Sequence, residues 1–138
     1  MQRRVEGIIF SDLGAAAGFM ALDWVQSALR QHLGFAPFPA TLNLRPKAPA
    51  DALAWARIPQ ELKGVDLFPP NSDFCNATIF FVEIGAGGGK EGETLKGAVL
   101  LPEVANYPKD KIEVIASVRL KDRLGVRDGD QLTLEFLN

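Results

Sequence analysis

Six or seven short runs of β-branched and aromatic residues, set apart by glycine and proline, leave this chain few folds to choose from. The runs are Val5–Ser11, Thr41–Leu44, Asn76–Ile84, Leu95–Leu101, Lys111–Val118 and Gln131–Phe136, with Phe19–Leu22 as a further short candidate. Only one stretch between them has strong helical periodicity. Strands that do not alternate regularly with helices argue against a parallel doubly wound sheet. A small closed barrel fits better, because closure removes exposed sheet edges. The 138 residues suffice for a single domain spanning 1–138 with one core.

The helical stretch runs over about 23–33. Trp24, Val25, Ala28, Leu29 and Leu33 recur on one face. Asp23 with Gln26 fits a capping box, and Gly34 supplies the stop. His32, beside that end, reads as a dipole partner or surface residue. Pro37 and Pro39 force an extended path into Thr41-Leu42-Asn43-Leu44, whose alternation is that of a half-buried strand. The proline-bearing stretch 46–73 is expected to be irregular, apart from a short helix around Asp51–Arg57. Leu120–Leu124 reads as a helical turn stopped by Gly125, and Asp128-Gly129 as a tight turn. In Gln131–Phe136, Leu132, Leu134 and Phe136 share one face.

Charge and cysteine content exclude several functions. A net charge of −2 gives no global case for nucleic acid or an anionic membrane. One cysteine, Cys75, forms no internal disulfide, and one histidine with one cysteine builds no Cys/His zinc cage within one chain. Any metal must be held by oxygen. With no signal-peptide pattern and no apolar run long enough to span a bilayer, a cytoplasmic location is expected.

Gly87-Gly88-Gly89-Lys90-Glu91-Gly92 matches G-x-G-x-x-G after a strand, but a dinucleotide-binding loop must open a helix, and here a strand follows. The P-loop pattern fails too, with Ile84 in place of the first glycine and Glu91 in place of Ser or Thr. A hairpin loop is the reading. The small residues of Asp12–Phe19 either form a plain turn or let backbone N–H groups approach a phosphate. Thr41 and Asn43, two apart on a strand, share a face. Their oxygens are hard neutral donors suited to Mg²⁺ that already carries phosphates, or else a solvated strand face. Glu113 is a lone carboxylate in the apolar run Ile112-Glu113-Val114-Ile115. It either points outward or accepts a hydrogen bond from a ligand hydroxyl. Trp24 and Trp55 read as packing residues.

These features fall in a known order. Leu33-Gly34-Phe35-Ala36-Pro37-Phe38-Pro39-Ala40-Thr41-Leu42-Asn43-Leu44 resembles the pattern L-G-F-x-P-[YF]-x-G-T-L-N-L of the archaeal-type, CTP-dependent riboflavin kinases. Lys96–Pro102, Ile112–Ala116 and Leu120–Asp130 resemble the later family segments G-A-[IV]-[VL]-x-P, [LI]-E-[IV]-I-A and L-R-x-x-[LF]-x-[LV]-x-D-G-D. The resemblance runs from about Val5 to Phe136. It implies a mainly β, six-stranded cradle-loop barrel with one inserted helix and short helical turns. It also implies transfer of the γ-phosphoryl group of CTP to the riboflavin 5′-hydroxyl, giving FMN and CDP, with Mg²⁺. A flavin- or nucleotide-binding module without transfer is the alternative.

Residue by residue, the resemblance places a nucleotide-binding segment at Gly14, Ala15, Ala16, Ala17, Gly18 and Phe19, and a second at Val118, Arg119, Leu120 and Lys121. It makes Thr41 and Asn43 the metal ligands, with Asn43 and Glu113 catalytic. Glu113 and Ala105 fall on flavin contacts. Asp12, Ala15 and Ala16 stand where the family loop has Gly, Glu and Gly, so a methyl group at Ala16 is expected to crowd the phosphates. Ala105 replaces a flavin-contacting threonine, leaving Asn106 or Tyr107 to substitute.

Overall fold

The structure, a computed structural model, describes residues 3–11, 15–71, 75–86 and 94–137. Its strands are β1 (Arg3–Phe10), β2 (Leu42–Pro46), β3 (Val65–Leu67), β4 (Ala77–Ala86), β5 (Leu95–Pro102), β6 (Ile112–Ala116) and β7 (Gln131–Phe136). They form one antiparallel sheet in the order β3-β4-β5-β6-β2-β1-β7. The C-terminal half of β4, from Val82, also pairs with β7, which closes six strands into a barrel. Short β3 occupies the remaining part of the same β4 edge, at Ala77–Ile79. Closure satisfies the backbone groups that an open sheet would leave exposed.

The two faces of the sheet build two apolar layers. Val5, Ile9, Leu42, Leu44, Val82, Ile84, Val114, Leu132 and Leu134 belong to the cluster inside the barrel. Ile79, Ala98, Leu100 and Ile115 belong to an outer cluster covered by α1 (Ala15–Met20) and α2 (Asp23–Leu33). Met20, Val25 and Leu29, each at most 0% exposed, are the helical side of that layer. In β6 this alternation puts Ile112, Val114 and Ala116 inside, and Ile115 under the helices. Glu113 therefore shares the outer face of β6. The same rule places Thr41 and Asn43 on the outer face of β2, opposite Leu42 and Leu44.

Two further helices close the ends. α3 (Pro49–Glu61) sends Trp55 and Ile58 into the barrel cluster, and the Trp55 ring lies 5.9 Å from that of Phe136. α4 (Leu120–Leu124) contributes Leu120 and ends at Gly125, whose φ of 64° only glycine adopts cheaply.

Four local expectations change. Phe19 and Met20 end α1 instead of forming a strand. Ala15–Phe19 is helical, not a loop, since three successive alanines favour helix. The stretch 46–73 holds a 13-residue helix, because Pro49 opens it and the Asp51 carboxylate accepts the Ala48 N–H at 3.1 Å and the Glu6 N–H of β1 at 2.9 Å. In α2, Asp23 is the first helical residue and makes no cap. Gln26 instead donates from Nε2 to the Met20 carbonyl at 2.7 Å, tying the two helices together. Gly34 ends α2 as expected, with φ 80°.

Candidate active site

A cleft of about 190 Å³ opens where the end of β1, the start of β2 and the β6–α4 connection meet. Its floor comes from the strands. Phe38 donates its backbone N–H to the Ala116 carbonyl at 2.8 Å, pinning the proline-bearing approach to β2 against the end of β6. That brings Thr41 and Asn43 to the wall of the cleft, beside Phe10 and Phe38. The Arg45 guanidinium packs over the Phe10 ring at 4.7 Å and braces it.

Asn43 pairs in register with Glu113 across β2 and β6. Glu113 is 3% exposed and lies behind the cleft wall. Thr41 Oγ1 donates to Glu113 Oε1 at 3.2 Å, and the Tyr107 hydroxyl donates to Oε2 at 2.5 Å. Thr41, Asn43, Glu113 and Tyr107 thus form one constellation. Asn43 Oδ1 differs from the other oxygens there: it is buried and accepts no hydrogen bond from any described residue. An acceptor buried this way costs about 1–3 kcal/mol. A cation beside it would remove that cost, and a hydroxyl with a neutral amide oxygen suits a hard ion that brings its own anionic ligands. Among the described residues no cluster of three or more His, Cys, Asp and Glu could hold a metal instead.

The cleft also has a cationic lining. Val118, Arg119, Leu120 and Lys121 all line the cleft, as does Ser11 at the end of β1. Both cations carry carboxylate partners. Arg119 meets Asp122 at 2.8 Å, and Lys121 Nζ meets Asp128 Oδ1 at 2.8 Å and Ser11 Oγ at 3.3 Å. Ser11 itself donates to Asp128 Oδ2. The hydrogen bonds from Lys121 and then Ser11 hold the Asp128 carboxyl below the usual carboxylate range.

The expected site residues therefore divide. The structure joins Thr41, Asn43 and the segment 118–121 around one cleft, with Glu113 bonded to its rim. It does not bring Ala105 there; that residue is exposed on the connection from β5 to β6. Gly14 lies outside the described residues, as do Asp12 and the 87–93 glycine segment. Ala15, Ala16 and Ala17 enter as helical backbone, and Gly18 has open space where a Cβ would stand. No described non-glycine residue has a positive φ, so Ala16 bears no backbone strain. Phe19 packs edge-on against Trp24, with ring centroids 5.7 Å apart. Sequence reasoning missed Ser11, Asp128 and the aromatic pair Phe10 and Phe38. Ser11 and Asp128 are 117 positions apart, and only closure of the barrel makes them neighbours.

No described helix is long and apolar enough to cross a membrane. A family model named CTP-dep_RFKase, with the description "Domain of unknown function DUF120", matches residues 9–136. The chain is 36% identical over 133 residues to a riboflavin kinase of Pyrobaculum islandicum, covering 96% of this chain and 60% of that protein. It is 31% identical over 134 residues to a riboflavin kinase of Archaeoglobus fulgidus, covering 97% of this chain and 54% of that protein. A riboflavin kinase of Aeropyrum pernix is 32% identical over 136 residues, covering 96% of this chain and 95% of that protein. The chain thus spans 60% or less of the length of the first two of these relatives.

Proposed function

Because the chain belongs to the CTP-dep_RFKase family, we propose that it transfers the γ-phosphoryl group of CTP to the 5′-hydroxyl of riboflavin, yielding FMN and CDP, with Mg²⁺. The observation that carries this reading is the unpartnered, buried Asn43 Oδ1, on a residue that lines one cleft together with Thr41, Arg119 and Lys121.

Phosphoryl transfer needs positioning and charge neutralisation more than covalent chemistry, so a site without histidine or cysteine is adequate. Thr41 and Asn43 would hold the Mg²⁺, which supplies electrostatic stabilisation of the phosphate oxygens. Arg119 and Lys121 bind the polyphosphate. The exposed Arg119–Asp122 pair is worth little in water, so exchanging its carboxylate for a phosphate costs little. Phe10 and Phe38 give the cleft an aromatic lining suited to a planar substrate. Glu113 keeps the flavin-side role. The loose transition state of phosphoryl transfer asks little of a base, so a carboxylate engaged by two donors is compatible with catalysis.

Incubation with riboflavin, Mg²⁺ and, in turn, CTP, ATP, GTP or UTP tests the proposal through FMN formation. FMN is expected chiefly with CTP. No FMN with any nucleotide ends the kinase reading, and flavin binding without turnover replaces it with a binding module. Equal use of ATP ends the assignment of CTP alone.

A further inference from the structure

The carboxylate behind the cleft has a fixed hydrogen-bond polarity. Glu113, as a carboxylate, offers acceptors and no donor. The contacts from Thr41 Oγ1 at 3.2 Å and from the Tyr107 hydroxyl at 2.5 Å must therefore both be donated to it. A threonine hydroxyl has one proton. With that proton committed to Glu113 Oε1, the lone pairs of Thr41 Oγ1 are turned away from the carboxylate. Asn43, the register partner of Glu113, presents its buried, unpartnered Oδ1 on the same sheet face. Tyr107 is itself placed by a turn, its backbone N–H donating to the Val104 carbonyl at 3.1 Å.

We propose that Tyr107 is a positioning residue for the divalent cation. By anchoring the far oxygen of Glu113, it fixes the carboxylate so that Thr41 turns lone pairs, not its proton, toward the ion beside Asn43. This rests on the reading of Thr41 and Asn43 as ion ligands. Without the phenol, Glu113 keeps one anchor fewer, so it holds the Thr41 proton, and with it the direction of the Thr41 lone pairs, less firmly. Partners of this outer kind commonly tune metal affinity as strongly as a weak ligand does.

CDP affinity, measured calorimetrically in EDTA and in excess Mn²⁺, separates the possibilities. The wild type should bind CDP more tightly with Mn²⁺. Tyr107→Phe should reduce that metal increment about fivefold, equivalent to ~1 kcal/mol, and leave the affinity in EDTA unchanged. Glu113→Gln, measured the same way, should reduce the increment at least as much, and it serves if the phenylalanine variant fails to fold. If Tyr107→Phe weakens CDP equally with and without metal, or changes neither, the positioning role is overturned. A wild type whose CDP affinity ignores Mn²⁺ overturns the ion-ligand reading itself, and this role with it.

Discussion

At the scale of single residues, function and stability pull apart at Asn43. Its amide oxygen is buried without a partner, so the folded chain gains nothing from it. Asn43→Ala should therefore leave the unfolding midpoint unchanged or slightly raised, while FMN formation falls about 100-fold or more if a metal is lost with it. Circular-dichroism melts and the FMN assay, run on the same sample, check both halves. A variant that keeps wild-type FMN production would place the ion elsewhere. Asp128 is the opposite case, a residue whose contribution depends on pH. Lys121 and Ser11 lower its folded-state pKa below the ordinary value of 3.8. A carboxylate with a depressed folded pKa stabilises above its unfolded value and loses that contribution as pH falls through the folded one. The stability gap between wild type and Asp128→Asn should thus be present at pH 7 and shrink below pH 3.8, as read from urea midpoints across that range.

At the scale of elements, the approach of β5 to β6 is a tight constraint. A Cβ on Gly97 would lie 2.3 Å from the Ile115 carbonyl oxygen and 2.7 Å from the Ile84 side chain. The backbone of a paired strand cannot retreat without breaking its ladder. Gly97→Ala should cost about 1–3 kcal/mol, seen as a lowered denaturant midpoint with an unchanged slope. Full wild-type stability would mean that the strands adjust freely. α1 shows a different balance. Its backbone is helical where the family resemblance implies a loop, and its last residue, Met20, is fully buried against β4, β5 and β6. Packing of Met20, with Phe19 against the same cluster, stabilises a helix too short to persist alone. The alanines before it are compatible with helix in a way that glycines are not.

At the scale of the whole molecule, α3 and the cleft occupy opposite ends of the barrel. α3 is held at the start of β1 through Asp51 and Glu6, whereas Phe10 and Ser11, at the end of β1, line the cleft. Trp55→Ala should open the α3 end and cost about 3–5 kcal/mol, while the folded fraction keeps its affinity for CDP. Loss of CDP binding in a folded variant would show the two ends to be coupled. The barrel was legible in the chain because alternation of apolar and polar residues, as in Gln131–Phe136, is a local property that any sheet of this kind must satisfy. The helix over 23–33, its glycine stop at Gly34 and the shared face of Thr41 and Asn43 follow from local spacing in the same way. Helix α3 was only partly legible. Its prolines argue for irregular chain, and the hydrogen bond from the Glu6 N–H of β1 to Asp51, 45 positions later, is invisible to any window. The site depended still more on the tertiary structure. That Glu113 faces Thr41 and Tyr107, and that Ser11 meets Lys121 and Asp128, comes from pairing β2 with β6 and from closing the barrel. Sequence determines which way each side chain points along its own strand. Only the three-dimensional pairing of strands distant in the chain decides which side chains face one another.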